Sequence, residues 1–519
     1  MKQMLRLSVA IIALSAVLTT GCSVNPVTGA TEFSLVSAEQ EVAIGTNNYG
    51  PSQQSQGGRY YIDPNLQVYI RDIGKKLAAV SDRPNLPYEF VVLNNSTANA
   101  WALPGGKIAV NRGLLLHLDD EAELAAVLGH EIVHAAARHG ASQSTRGTLV
   151  GLGAAAVSIL GSNYGLGDVS SQAAQMGAAA WMAKYGRNDE LEADAYGMDY
   201  LARAGYDPSG GVRVQEAFVK LSQGQQQDSL SALFASHPPS QERVDKNLIK
   251  AASLPKGPNY RDRYQRAIAQ LKRDKPAYDA EVEAIKALNA KNPKAALVQL
   301  EKAIKIQPNE GSFWELRGHA WEMSKNPTNA EKSFTTAIGK NPDLFSPYLY
   351  RGISRYEQGK KTSAKTDLER SYKLLPTPPA SYFLGEISLE SGDKQRAIQY
   401  FQTAAQGNDE IAKRAAARLA VLELATVPHK YILSKISLGD DGYMRITVKN
   451  NSPVIVNNVE LQLSEMANSF MVGNSSSLKG PSTLAPGKQA TMKTRIGPFS
   501  EVAEMAQYRI KVSKVRVPE

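Results

Sequence analysis

Cysteine occurs once in the 519 residues, at Cys22, so no disulfide forms within the chain and its folds must rest on packed cores. Histidine is scarce, seven in all, which makes any patterned pair of them informative. Long apolar runs are missing. Leu7–Leu18 and Leu149–Leu160 each span about a dozen residues, where a bilayer crossing takes about 20. No dense run of one charge appears: 59 basic and 50 acidic residues are interspersed, and the net charge of +9 reads as a solvated surface, not a nucleic-acid interface. What remains is 43% hydrophobic and 21% charged, the balance of a folded protein, at a length that predicts roughly two to four domains.

The scarce histidines are patterned. Leu124–His139 carries His130, Glu131 and His134 as H-E-x-x-H in a strongly helical segment. Residues four apart on a helix lie about 40° apart around its axis, so both imidazoles leave one face, one turn apart. Two ring nitrogens then reach one Zn²⁺ at about 2.0–2.1 Å, with Glu131 beside the metal. Asp120 with Glu123 predicts a capping box at the start of this helix, and Gly140 a stop at its end. A catalytic zinc keeps three protein ligands and an open position, so a third ligand comes from elsewhere. Glu190, in E-L-E-A-D over Glu190–Asp194, is the candidate. Asp194 lies one turn beyond it on the same face and suits a carboxylate that orients a ligand imidazole. Glu192 points elsewhere and reads as surface. His139, five residues past His134, reads as swung away from the metal face.

Met1–Gly21 has the charged start, short apolar run and small-residue end of a targeting segment. With Cys22 directly after it, the stretch resembles a bacterial lipobox, although Thr19 stands where that box usually has leucine. The resemblance implies lipidation of Cys22 and stable anchoring by acyl chains, and Ser23 resembles the outer-membrane sorting rule.

Along the chain, Ser37–Tyr49 predicts a short capped helix and Gly50–Gly58 a loop, while Leu66, Ile70, Ile73 and Leu77 form one face of a helix over Pro64–Val80. Tyr88–Asn94 reads as a strand, and Asn99–Val110 as two strands about a Pro-Gly-Gly turn. Thr145–Ala183 is rich in small residues, and reads equally as a packed helix or a mobile lid. Helices follow over Asn188–Ala204, Val212–Ser222 and after Ser240. Residues 256–276 read as a linker.

From about 277 to 425 the chain repeats. Pro308, Pro342 and Pro376 are 34 residues apart, and Leu300, Phe334, Leu368 and Phe401 keep the same step to within one residue, as do Gly318, Gly352 and Gly385. A 34-residue helix-turn-helix period resembles the tetratricopeptide repeat, which stacks into a surface that binds proteins or peptides. Over 428–519 the period changes to two, with strands predicted at Tyr431–Leu438, Tyr443–Val448, Val459–Leu463, Ala490–Arg495 and Tyr508–Val517, as in a small β-sandwich. The fold class is thus multidomain: a mainly helical α+β domain over 22–255, an α-solenoid and an all-β sandwich.

H-E-I-V-H followed about 56 residues later by E-L-E-A-D resembles the gluzincin zinc peptidases of metallopeptidase family forty-eight, the HtpX-like and BepA-like bacterial enzymes. Asn99–Gly106 (NAWALPGG), Tyr185-Gly186-Arg187 and Cys22–Gly29 match other stretches of that family. The resemblance implies one Zn²⁺ per chain on His130, His134 and Glu190, a bound water activated by the metal with Glu131 as general base, and a proton-donating role for Asp194. His237, in SHPPSQER, matches a histidine that closes onto the zinc in BepA-like proteins, or else donates to the oxyanion. Trp101, Ala102 and Leu103 lie in an expected exposed strand that would bind an extended peptide by strand addition. A periplasm-facing lipoprotein at the outer membrane is implied, cleaving misassembled envelope proteins, with an assembly partner on the repeats and no nucleic acid. The rival reading is a repeat-bearing assembly factor or chaperone whose zinc site is latent.

Overall fold

The computed structural model describes residues 22–146, 185–223, 227–466 and 472–518. The chain divides into two compact units, Met1–Leu344 and Phe345–Glu519.

In the first unit a short antiparallel hairpin, β1 (Cys22–Val24) and β2 (Thr31–Phe33), precedes helix α1 (Ala38–Ser55). Ser37 caps α1 as predicted: its hydroxyl accepts from the Gln40 N–H while Gln40 reaches back to the Ser37 N–H. The loop predicted from Gly50 begins only after Ser55, and α1 runs through Pro51. Burial holds it there. The Tyr49 hydroxyl donates to the Ile108 carbonyl at 2.8 Å, and its ring stands edge-on to Trp101. Helix α2 (Pro64–Ala78) starts on an Asp63 cap with proline at its first position, and buries Leu66, Ile70, Ile73 and Leu77.

Strands β3 (Glu89–Leu93), β4 (Ala100–Leu103) and β5 (Lys107–Asn111) form a sheet in the order β3-β5-β4, β3 parallel and β4 antiparallel to β5. Gly105 and Gly106 make the turn between β4 and β5, at φ 75° and 80°. The sheet is covered on both faces. Val91, Leu93, Trp101, Leu103 and Ala109 pack with Tyr49, while Phe90, Val92, Ala102, Ile108 and Val110 join the main core. A short helix, α3 (Arg112–Leu115), leads to α4 (Glu121–Ala136), which carries the histidines. Helix α5 (Arg187–Arg203) crosses α4 closely: a Cβ on Gly197 would lie 3.1 Å from the His130 backbone nitrogen. Helices α6 (Ser209–Ser222), α7 (Gln227–Ser236) and α8 (Gln241–Ala252) complete this layer.

The predicted linker is structured instead. Helices α9 (Arg261–Ala267) and α10 (Ala269–Asn289) occupy most of 256–276, with Tyr264, Ile268 and Leu271 fully buried. The charged start of that stretch, Arg261-Asp262-Arg263, conceals a buried stripe whose Tyr264 hydroxyl donates to the Leu115 carbonyl at 2.6 Å. The first repeat helices, α10, α11 (Pro293–Ile306), α12 (Gly311–Met323) and α13 (Pro327–Lys340), belong to the same unit as α4.

The second unit continues the repeats with α14 (Phe345–Glu357), α15 (Lys361–Leu374), α16 (Pro378–Glu390), α17 (Lys394–Ala404) and α18 (Glu410–Leu424). The 34-residue period has a packing cause. Each repeat glycine faces the repeat apolar side chain of the next helix: Gly318 lies against Phe334, Gly352 against Leu368 and Gly385 against Phe401, leaving no room for a Cβ. Two sheets follow. Strands β6 (Ile432–Leu438), β7 (Met444–Asn450) and β11 (Gln489–Lys493) form one, and β8 (Val456–Met466), β9 (Val472–Lys479), β10 (Thr483–Leu484) and β12 (Tyr508–Arg516) the other. Val448, Val459, Leu461 and Val512 fill the space between them, together with Ala420 and Leu424 of α18. Among the described residues no helix is long and apolar enough to cross a membrane.

Candidate metal centre

The site is built where α4 meets α5. Asp120 caps α4 by accepting from the Glu123 N–H at 2.9 Å, while Glu123 reaches back one residue further than the predicted box, to the Asp119 N–H at 2.7 Å. This orients His130, Glu131 and His134 into a buried space. Helix α5 opens with Asp189 accepting from the Gly186 N–H and brings Glu190 and Asp194 to the same space. His237 arrives from the end of α7, just before the Ser240 cap of α8.

One ligand atom from each of His130, His134, Glu190 and His237 lies within 4.8 Å of the others. His130 Nε2 is 3.0 Å from His134 Nε2 and 3.3 Å from His237 Nδ1, and His237 Nδ1 is 3.0 Å from Glu190 Oε1. Around them the hydrogen bonds set which nitrogens carry protons. His130 Nδ1 is 2.9 Å from Asp194 Oδ1, so it donates there and its Nε2 keeps a lone pair. The His134 and His237 nitrogens lie beside it with a Glu190 oxygen, and this N, N, N, O donor set fits Zn²⁺.

Charge is balanced just outside. Arg243 of α8 donates to both carboxylate oxygens of Asp194 at 2.7 Å and pairs with Glu190 Oε2 at 2.7 Å. Burial pushes the Asp194 carboxyl up, but Arg243 and His130 outweigh it and hold the group below its usual range. Burial of Glu131, only partly offset by His237 and His130, raises its carboxyl above its usual range. Burial also keeps the His134 ring neutral, the form that ligates. Tyr185 stacks on the His134 ring at 3.7 Å between centroids. Beside Glu131 and His237 an apolar recess opens, walled by Val127, Met198, Val214, Phe218 and Leu233.

Three readings of the sequence are corrected. Gly140 does not end α4: the helix stops at Ala136, and Arg138 takes the left-handed conformation at φ 63°. Such a backbone costs about 1–2 kcal/mol for a non-glycine residue. The Arg138 side chain offsets it by pairing with Glu41 at 2.7 Å and donating to the Val36 carbonyl at 2.6 Å. The turn swings His139 back, and its Nδ1 lies 2.8 Å from Nδ1 of His134. Glu192 is also not free surface, for its carboxylate lies 3.3 Å from His139 Nε2.

Trp101, Ala102 and Leu103 lie on β4 at the edge of the sheet, but their side chains are buried, not exposed, because the sheet is covered on both faces. Cys22 opens β1; residues 1–21, and 147–183 of the stretch read as a helix or lid, lie outside the described residues.

The peptidase family M48 model matches residues 64–248, and a tetratricopeptide repeat model matches 350–422. A beta-barrel assembly-enhancing protease of Yersinia pestis is 32% identical over 190 residues, 35% of this chain and 38% of that protein. The mitochondrial metalloendopeptidase OMA1 of Arabidopsis thaliana is 32% identical over 206 residues, 40% of each chain. Metalloprotease YcaL of Escherichia coli is 28% identical over 244 residues, 45% of this chain and 92% of that protein. The chain thus spans about two fifths of the length of the first curated relatives it matches. It carries a peptidase family M48 domain over 64–248, followed by tetratricopeptide repeats that include 350–422.

Proposed function

We propose that the protein is a zinc-dependent endopeptidase of the bacterial periplasm, hydrolysing peptide bonds of misfolded or misassembled envelope and outer-membrane proteins. The observation that carries this reading is the convergence of His130, His134, Glu190 and His237 within 4.8 Å, with Glu131 beside them. His130, His134 and Glu190 would hold one Zn²⁺ per chain, which would supply a Lewis acid for the scissile carbonyl. Glu131 is placed to take a proton from the attacking water and to return it to the leaving amine. Asp194 fixes the His130 tautomer and Arg243 fixes Asp194. The recess accepts an apolar side chain next to the cleaved bond.

The repeats supply protein recognition, and the name of the Yersinia relative supports clients or partners in outer-membrane protein assembly. Lipidation at Cys22 would hold the enzyme at the periplasmic face of the outer membrane. A second reading, an assembly factor with a latent zinc site, is favoured by one feature: with His237 as a fourth protein ligand, no position is left for water. Zinc content and casein cleavage of the full chain test both readings. One zinc per chain with cleavage supports the enzyme; one zinc with no cleavage by any variant supports the assembly factor; no zinc overturns the metal centre.

A further inference from the structure

The proton relay that sets His134 does not end at His139. His139 Nε2 faces the Glu192 carboxylate, an acceptor only, so His139 donates there and its Nδ1 carries a lone pair. His134 Nδ1 therefore donates to His139 Nδ1, which leaves His134 Nε2 with its lone pair toward the metal space. Glu192 Oε1, in turn, accepts from Asn25 Nδ2 at 2.8 Å. Asn25 is 2% exposed and fixed from behind: its Oδ1 accepts from the Val27 N–H, and its Nδ2 also donates to Glu32 of β2.

Asn25 belongs to the hairpin that starts at Cys22, and that hairpin is clamped on the segment that follows α4. Ser142 donates to Glu32 Oε2 at 2.5 Å, Arg138 donates to Ser23 Oγ, and the Leu35 N–H donates to Thr145 Oγ1 at 3.0 Å.

We propose that the N-terminal hairpin completes the metal site: Asn25, Glu192 and His139 are positioning residues that hold His134 in its ligating tautomer. This rests on the zinc reading of the site. It ties the segment directly after Cys22 to the strength with which the metal is held, so the hairpin is a working part of the centre and not only a tether.

Zinc affinity of the full chain, measured by competition with a chromogenic chelator, tests it, with the melting temperature of the zinc-free protein as control. Removing a group that orients a ligand histidine costs about 10–100-fold in metal affinity, so Glu192→Ala and His139→Phe fall in that range and Asn25→Ala loses about threefold to tenfold. Glu192→Gln keeps an acceptor oxygen for both donors and recovers part of the loss. Ser142→Ala, which removes one bond to the Glu32 carboxylate behind Asn25, loses less affinity than Asn25→Ala. Unchanged affinity in Glu192→Ala and Asn25→Ala overturns the proposal, as does a loss matched by a fall in zinc-free melting temperature. A natural chain that binds no zinc fails at the earlier step, and the metal reading falls with it.

Discussion

Nε2 of His237 lies 3.6 Å from Oε1 of Glu131. The other nitrogen of the same ring lies 3.0 Å from Glu190. One side chain thus joins the cluster proposed to hold the metal and faces the carboxylate proposed as general base. His237→Ala removes both contacts. If the closed state dominates, the competent fraction limits the rate, and the variant cleaves casein about tenfold faster while binding zinc more weakly. Slower cleavage with unchanged zinc binding would instead mark His237 as a donor to the transition state.

Glu131 stands outside the group of atoms that converge, so in its proposed role as general base it is not needed to hold the metal. Glu131→Gln therefore retains one zinc per chain and loses about 10²–10⁴-fold in kcat, the usual span for a general base. Metal analysis of the purified variant beside its turnover separates this from a ligand role, in which zinc would be lost too.

The centre and the scaffold differ in how far the sequence exposes them. His130, His134 and Glu190 are legible because metal chemistry restricts residue type and helix geometry restricts spacing. His139 and Glu192 escape because their roles depend on Arg138 entering the left-handed region, a choice enforced by Glu41 and the Val36 carbonyl about a hundred positions away in sequence. A residue five beyond His134 on a continuous helix would face elsewhere. Strands β3 and β5 are found by their apolar content, yet burial on both faces removes the alternation that would tell which side each residue takes. Strand β9, GNSSS with exposed side chains, carries no apolar signal and exists by pairing with β8.

Arg112 joins the peptidase elements to the first repeat helices. It is 2% exposed, donates to Asn94 and Ser96 at 2.8 Å and to Glu281 of α10 at 3.1 Å, and lies over the Tyr278 ring. Asn94 and Tyr278 both donate to Glu310, at 2.9 and 3.0 Å. Arg112→Met leaves the Glu281 carboxylate buried with the Ser96 and Ser312 hydroxyls but without its cation, and costs about 3–5 kcal/mol. Adding Glu281→Gln removes the uncompensated charge and recovers part of that loss. Thermal unfolding of the single and double variants measures the coupling; additive losses would mean that the pair is not what fastens α10 to the sheet.

In the second unit, Glu423 of α18 is the acid-sensitive joint. It accepts from Lys430 and Tyr431 at 2.5 Å, tying the last repeat helix to the start of the β domain. Burial raises its carboxyl, but Lys430, Tyr431 and Gln402 outweigh that and hold it below the ordinary glutamate range. A depressed carboxyl binds fewer protons in the folded state than in the unfolded one. Its contribution is therefore present above the unfolded value of 4.5 and lost as pH falls through the lower folded value. Glu423→Gln removes charge-assisted hydrogen bonds, and destabilises by about 1–2 kcal/mol at neutral pH. The difference shrinks toward zero as pH falls through the folded-state value and both states become protonated. Melting temperatures of the two proteins across that range check the sign: the gap should close on acidification, and a gap that widens would mean that Glu423 is protonated in the folded chain.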